Sequence, residues 1–478
     1  MSEPEGPQGE RGMTVEALAD AVLLPGFGGT APPDWVRRRV AGGLGGVVLF
    51  ARNCVSPAQL AELTGALRAE RADVLVATDE EGGDVTRLFA AVGSPVPSPY
   101  ALGVADDVEL TRSVAAALAA RIAAAGIGWT LAPVADVNSA PDNPVIGVRS
   151  YGATPGLVAR HVAAAVTGIQ SVGVAACAKH FPGHGDTTVD SHLGLATVGP
   201  DLAGALEPFR AAVAAGVATV MTGHLLVPGY GDLPATLNPR LVDGLLRAEL
   251  GFDGVVISDA LEMGAIAGSV GVGEGAVLAV LAGVDALCLG GDEAGEPIAD
   301  AARDALVAAV RSGRLAEERL AAAAGRVRAL AGRFPGSLAA LGLVAARRGL
   351  RSVGDVRMGP GAPVLVRLDP APTIAVGRSA WGLGGLLPGA TELVVGPDDP
   401  LPAVPAGRAL VVVARDATRV GWVGRAVAGL LAARPDAVVV EMGLPGPVPP
   451  ARGWIATGGA SAASAAAAAE LLLGTAPR

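Results

Sequence analysis

Between about residue 14 and residue 334, short runs rich in Val, Ile and Leu alternate with Ala-rich amphipathic segments, and this alternation constrains the chain more than any other feature. Strands separated by helix-length crossovers pair in parallel, because a hairpin turn cannot join them. The strand-like runs cover residues 23–27, 47–50, 74–78, 128–132, 174–178, 218–222, 254–258 and 286–289. Eight such runs with helices between them predict a (β/α)8 barrel of the TIM type, in a stretch somewhat longer than the roughly 250 residues usual for that fold. Several helix starts are marked. Ser56-Pro57 opens a helix to about residue 70, Asp106 or Asp107 one ending near Gly126, and Thr154-Pro155 one ending near Gly173; Ser, Thr and Asp cap orphan N–H groups, and proline fits the first turn. Further helices are read over 201–216, 239–250 and 317–331.

The chain has 478 residues, too many for one ordinary core, so a second unit is expected. Residues 1–13 read as a polar, disordered tail, residues 14–334 as the barrel, and residues 335–372 as a connection containing Arg347 and Arg348. From 373 the alternation resumes, with strands at 373–376, 392–395, 409–413 and 437–441 and helices at 420–434 and 461–473. This predicts a smaller C-terminal α/β domain. It carries no histidine, so the sequence assigns it packing rather than chemistry.

Composition removes several function classes. A net charge of -10 argues against a nucleic-acid surface, which needs clustered Lys and Arg. No apolar run reaches the roughly 20 residues that span a bilayer, and the acidic first residues lack the basic start of a leader, so no membrane contact and a cytoplasmic location are expected. Cys54, Cys177 and Cys288 are far apart and form neither a disulfide framework nor a zinc ribbon. No cofactor is expected.

Chemistry concentrates in AKHFPGHGDTTVDSHLGL, residues 178–195, which holds three of the five histidines in a chain only 17% charged. Polar groups also follow other strands: Asp79, Glu80, Glu81 and Arg87 the third, Asp136, Asn138, Asn143 and Arg149 the fourth, His224 the sixth and Asp259 the seventh. In a barrel all these ends open on one face, so residues scattered over 180 positions would line one pocket. Asp259, at the end of an apolar strand, is rigid and partly desolvated, which suits attack on an electrophilic carbon; its other reading is a helix N-cap. Asp190 and His192, two apart, place a carboxylate beside an imidazole and can give and take a proton near neutral pH. Lys179 and His180 leave their strand on opposite sides if strand geometry persists. The donors His180, His184, Asp186, Asp190 and His192 would also serve a metal, although no H-E-x-x-H template is present.

The motifs KHFPGHGDTTVDSHLGL, DEEGGDVTRL, LAPVADVN, VIGVRSY, MTGHLL and FDGVVISDALEM, as a set and in this order, closely resemble glycoside hydrolase family 3 in its β-N-acetylhexosaminidase branch. The resemblance spans residues 14–334 and implies a TIM barrel and retaining cleavage of terminal β-linked N-acetylglucosamine, with fragments of peptidoglycan in cell-wall recycling as natural substrate. By position it implies Asp259 as nucleophile and the Asp190-His192 dyad as general acid/base. It further implies Asp79, Arg87, Arg149, Lys179 and His180 as groups gripping the sugar, and His224 on the pocket floor. Two positions depart from the family pattern: Asp84, where arginine is common, and Ala260, where a second aspartate is common. A phosphorylase remains open, because a neutral histidine repels phosphate less than a carboxylate would. So do a metal-dependent hydrolase and a sugar-binding protein without catalysis.

Overall fold

The computed structural model describes residues 13–71, 73–189, 194–199, 202–290, 295–330, 346–359, 361–377, 379–405 and 407–475. Strands in its first part are β1 (Leu23–Pro25), β2 (Gly46–Leu49), β3 (Leu75–Thr78), β4 (Trp129–Thr130), β5 (Cys177–Phe181), β6 (Ala196–Thr197), β7 (Thr219–Thr222), β8 (Leu225–Leu226), β9 (Val255–Ser258) and β10 (Leu287–Leu289). All their pairings are parallel: β1 with β10, β2–β3–β4, β5–β7–β9, and a side pair of β6 with β8. Single bridges, Trp129 to Ala175 and Ile257 to Ala286, join these pieces, so hydrogen bonding runs β2-β3-β4-β5-β7-β9-β10-β1, and β1 lies beside β2. Parallel strands covered on both faces lose the polar alternation of a half-wet sheet. Accordingly β1, β2, β3, β5, β7, β9 and β10 are buried throughout.

Helix starts follow the capping logic. The Ser56 hydroxyl accepts the Gln59 N–H at 3.2 Å at the head of Pro57–Glu70. Asp107, not Asp106, caps Val108–Ala124, accepting the Leu110 N–H at 2.9 Å, while Asp106 takes the left-handed position that ends the preceding helix. Thr154 precedes Pro155–Ser171 without a side-chain cap bond. At the amino ends of the strands, the fully buried Asp285 gathers Arg247 at 2.5 Å, Arg326 at 3.2 Å and Arg319 at 3.3 Å, tying two helices to the strands there. No helix among the described residues is long and apolar enough to cross a membrane.

A second sheet contains β11 (Arg351–Gly354), β12 (Val364–Leu368), β13 (Thr391–Val395), β14 (Leu410–Ala414), β15 (Val438–Glu441) and β16 (Gly453–Ala456). Their order is β11-β16-β15-β14-β12-β13, parallel except for β11 against β16. Alternate residues of β12 and β14 divide between two cores. Val366 and Val412 pack with Val427 of helix Gly421–Ala433, and Leu365 and Val411 with Ala468 of helix Ala462–Leu473.

The structure corrects the expected boundaries. Strands β11 and β12 fall inside the stretch read as a connection: Pro363 and Pro370 flank an apolar run that forms a central strand, and the prolines made it look like linker. Residues 373–376, expected as a strand, form a turn: the Gly377 N–H donates to the Thr373 carbonyl at 2.9 Å, and the Ala375 and Val376 carbonyls accept from Arg87 rather than from a strand neighbour. Strand β5 also runs later than expected, so Lys179 and His180 lie within it rather than after it.

Candidate active site

Loops at the carboxyl ends of the strands enclose a cavity of about 510 Å³, within the range of small-molecule sites. Its wall includes Asp79, Glu81 and Arg87 after β3, Arg149, Lys179 and His180, His184, and Asp259, Ala260 and Glu262 after β9. Thus Asp79, Arg87, Arg149, Lys179, His180 and Asp259 meet around one space. The apolar part of the wall includes Phe50, Leu131, Met221, Met263 and Ile298.

A buried ion network organises one side. Lys179 Nζ lies 2.7 Å from Asp79 Oδ1 and 2.7 Å from Glu81 Oε1. Arg149 holds Glu81 with two bonds, Nε to Oε2 at 2.9 Å and Nη2 to Oε1 at 2.8 Å. Burial acts to raise the Asp79 and Glu81 carboxyls, but Lys179 with Arg87 for the first, and Arg149 with Lys179 for the second, hold both below the ordinary carboxylate range. Burial likewise works against the Lys179 ammonium, and Asp79 and Glu81 overcome it, so its pKa is raised. The result is a rigid row of charged donors and acceptors that matches vicinal hydroxyls, held in place before any ligand arrives.

Asp136 organises the next stretch. Its Oδ2 accepts from His180 Nδ1 at 2.7 Å, while its Oδ1 accepts the backbone N–H groups of His180 at 3.1 Å and His184 at 2.7 Å. With Nδ1 protonated toward Asp136, Nε2 of His180 is left as an acceptor, 3.4 Å from Arg149 Nη2. The β5–β7 register shifts between Ala178 and Phe181, and Lys179 and His180 both face the cavity, against the alternation expected of a regular strand. His184 bonds Thr187 Oγ1 through Nδ1 at 2.6 Å, and burial drives its pKa down to about 4.

Asp259 follows β9 directly. Its backbone N–H donates to the Thr222 carbonyl at 3.0 Å, and its Oδ1 accepts the Ala260 N–H at 2.8 Å. His224 stands behind the wall rather than on it. Fully buried, it donates from Nε2 to the Ala260 carbonyl at 2.9 Å and pairs through Nδ1 with Thr236 at 2.8 Å, so it fixes the backbone beside Asp259. Asp190 and His192 lie outside the described residues. The stems of their loop are pinned: Asp186 Oδ2 accepts the Gly199 N–H at 2.7 Å, Asn143 donates to the His184 carbonyl at 2.7 Å, and β6 pairs with β8.

Glu81, Asp136 and Glu262 are cavity or supporting groups to which the sequence analysis gave no role. For Glu81 and Asp136 a signal existed: each is an acidic residue just beyond a strand-like run in a chain poor in charge. Glu80 supports from beneath; burial pushes its carboxyl up to about 7, and its Oε2 accepts the N–H groups of Arg87 at 2.8 Å and Leu88 at 2.9 Å. Among the described residues no group of three or more His, Cys, Asp or Glu side chains is arranged to hold a metal.

The two unusual positions have local explanations. Asp84 is buried and meets Arg415 of the second sheet at 2.5 Å, while its Oδ1 accepts the Ala460 N–H at 2.6 Å. An arginine there would face Arg415. Ala260 lines the cavity, and both its N–H and its carbonyl serve the Asp259 turn.

The chain is similar to known proteins. The model of the Glycosyl hydrolase family 3 N terminal domain matches residues 36–330. A β-hexosaminidase from Thiobacillus denitrificans is 37% identical over 275 residues, covering 55% of this chain and 76% of that protein. The β-hexosaminidase A of Pseudoalteromonas piscicida is 34% identical over 264 residues, 50% of this chain, and the chain spans only 44% of that relative's length. Among solved structures, a glycoside hydrolase family 3 β-N-acetylglucosaminidase from Paenibacillus sp. is 34% identical with a TM-score of 0.87, over 98% of both chains. The buried sugar-sized cavity, the carboxylate at the end of β9 and these likenesses lead to one assignment: the chain belongs to glycosyl hydrolase family 3.

Proposed function

We propose that the protein is a retaining β-N-acetylhexosaminidase that removes terminal β-linked N-acetylglucosamine by way of a glycosyl-enzyme intermediate. One observation carries the reading: Asp259 opens into the same cavity as the Asp79, Lys179, Glu81 and Arg149 network, so a nucleophile faces a surface built for hydroxyl groups. The names of the relatives support the N-acetylglucosaminide as substrate class. With these roles, Asp259 attacks the anomeric carbon while protonated His192, oriented by Asp190, gives its proton to the departing glycosidic oxygen. Neutral His192 then takes a proton from water, which attacks the same carbon and frees Asp259. The natural substrate assigned on the resemblance is a peptidoglycan-derived fragment.

The same reading treats the eight parallel strands from β1 to β10, without β6 and β8, as a closed (β/α)8 barrel and the second sheet with its helices as a C-terminal α/β domain. The test is release of the aryl group from an aryl β-N-acetylglucosaminide, compared with the matching glucoside, with and without phosphate. Turnover of the N-acetylglucosaminide to free sugar is expected. Sugar 1-phosphate as the main product would make the enzyme a phosphorylase, and preference for the glucoside would overturn the substrate class.

A further inference from the structure

We propose that the turn at residues 373–376 is the stop that confines this enzyme to one sugar at the chain end, an inference that rests on the hexosaminidase reading above. The turn comes from the second-sheet region, between β12 and β13 and 43 positions beyond residue 330 where the family match ends, yet it stands in the wall of the sugar cavity. Ile374 and Ala375 face that cavity, while Thr373 and Val376 face a second one of about 620 Å³. Val145 and Arg149 belong to both walls. The turn and these two residues therefore form a partition between two spaces, and the second space is large enough for a further pyranose ring.

Its position relative to the cleaved bond follows from strand order. Asp259 ends β9 and Asp79 ends β3, four strands apart along the hydrogen-bonded series β3-β4-β5-β7-β9. A sugar ring with its anomeric carbon at Asp259 and its hydroxyls at Asp79 and Lys179 directs its non-reducing end toward β3. Arg87 stands at that end: its Nη2 is 3.7 Å from Asp79 Oδ2 and 3.2 Å from the Ala375 carbonyl, and its Nη1 is 3.4 Å from the Val376 carbonyl. Arg87 thus acts as a positioning residue for the partition. The Asp84–Arg415 pair, three residues earlier on the same loop, latches the second-sheet region to it. A substrate extended beyond its terminal sugar would have to displace Ile374.

The test uses an aryl glycoside of β-1,4-linked di-N-acetylchitobiose and the full-length protein. Native enzyme releases free N-acetylglucosamine first, and aryl alcohol only after that. In Ile374→Ala, whose side chain is exposed so that truncation does not excavate a core, and in Arg415→Ala, which unlatches the turn, intact chitobiose is released directly. Its initial rate relative to that of N-acetylglucosamine rises at least about tenfold, the scale set by removing an apolar barrier from a pocket. Circular dichroism and the melting temperature verify that both variants are folded. An unchanged ratio in both folded variants overturns the proposal. Absence of N-acetylglucosamine release by the native enzyme overturns the hexosaminidase reading and this inference with it.

Discussion

Lys179 Nζ lies 2.7 Å from Glu81 Oε1, and both side chains are almost wholly withdrawn from water, at 2% and 1% exposure. Two charges so buried survive only by mutual compensation. The pair also connects β3 to β5, and through Arg149 it reaches the loop after β4, so it holds three walls of the cavity in register.

Glu81→Gln therefore leaves Lys179 and Arg149 short of one buried counter-charge. The expected loss is about 3–5 kcal/mol of unfolding free energy, the cost of breaking a buried pair by removing one partner. Urea unfolding followed by fluorescence measures it; a change near zero would mean that the network is solvated.

The depressed Asp79 and Glu81 values give a pH signature. Below the unfolded carboxyl pKa of about 4, the unfolded chain binds protons that the folded chain does not, so stability rises with pH over that interval. The contribution is complete above the unfolded value and is lost as pH falls through the depressed folded values. Lys179→Met raises both folded values. The stability gap between native protein and variant should thus be widest above pH 5 or so and shrink at lower pH. Unfolding midpoints at neutral and at strongly acidic pH test this, and a gap that grows toward acid would contradict it.

His184 faces the cavity, but with a pKa driven down to about 4 by burial it is neutral near pH 7. It cannot supply the leaving group's proton there. An acid catalyst must be protonated, so activity falls as pH rises through its pKa. His184→Gln should leave that alkaline limb of kcat/KM in place even if the rate declines. His192→Gln should remove the limb and slow substrates with poor leaving groups far more than activated aryl ones. Loss of the limb in the His184 variant instead would transfer the acid role to it.

The Asp84–Arg415 pair predicts strong coupling between two residues 331 positions apart. Asp84→Arg alone should destabilise by about 3 kcal/mol or more, since it brings two guanidinium groups together in a buried place. Arg415→Asp added to it should recover a large part of that loss in a double-mutant cycle. Simple additivity would show that the pair does not bind the two sheets together.

The distance between sequence and structure is instructive at particular residues. Asp79, Lys179 and Asp259 were legible because each sits at the end of an apolar run, and parallel strands bring such ends to one face. His180 was legible as a group of the site but not in its direction, because the register shift in β5 cannot be read from alternation. The turn at 373–376 reads as strand from Thr, Ile and Val, and tertiary contacts with Arg87 prevail over that local preference. Asp84 looked like a mere departure from a family pattern, since its partner lies on another sheet and no local periodicity points to it. The C-terminal region, assigned only packing from its composition, contributes Ile374 and Ala375 to the cavity wall, and the Ala375 and Val376 carbonyls that bind Arg87 leave no mark in residue type.

The central claim is that Asp259 forms a covalent bond to the sugar. Incubation with a slow-turnover fluorinated aryl β-N-acetylglucosaminide, followed by proteolysis and mass spectrometry, tests it most directly. The account predicts one added fluoro-N-acetylhexosaminyl mass on the peptide containing Asp259, the aryl group having left as the alcohol; the adduct is abolished in Asp259→Ala, whose turnover should fall by about a thousandfold or more. An adduct on another residue, or full activity in Asp259→Ala, would contradict it.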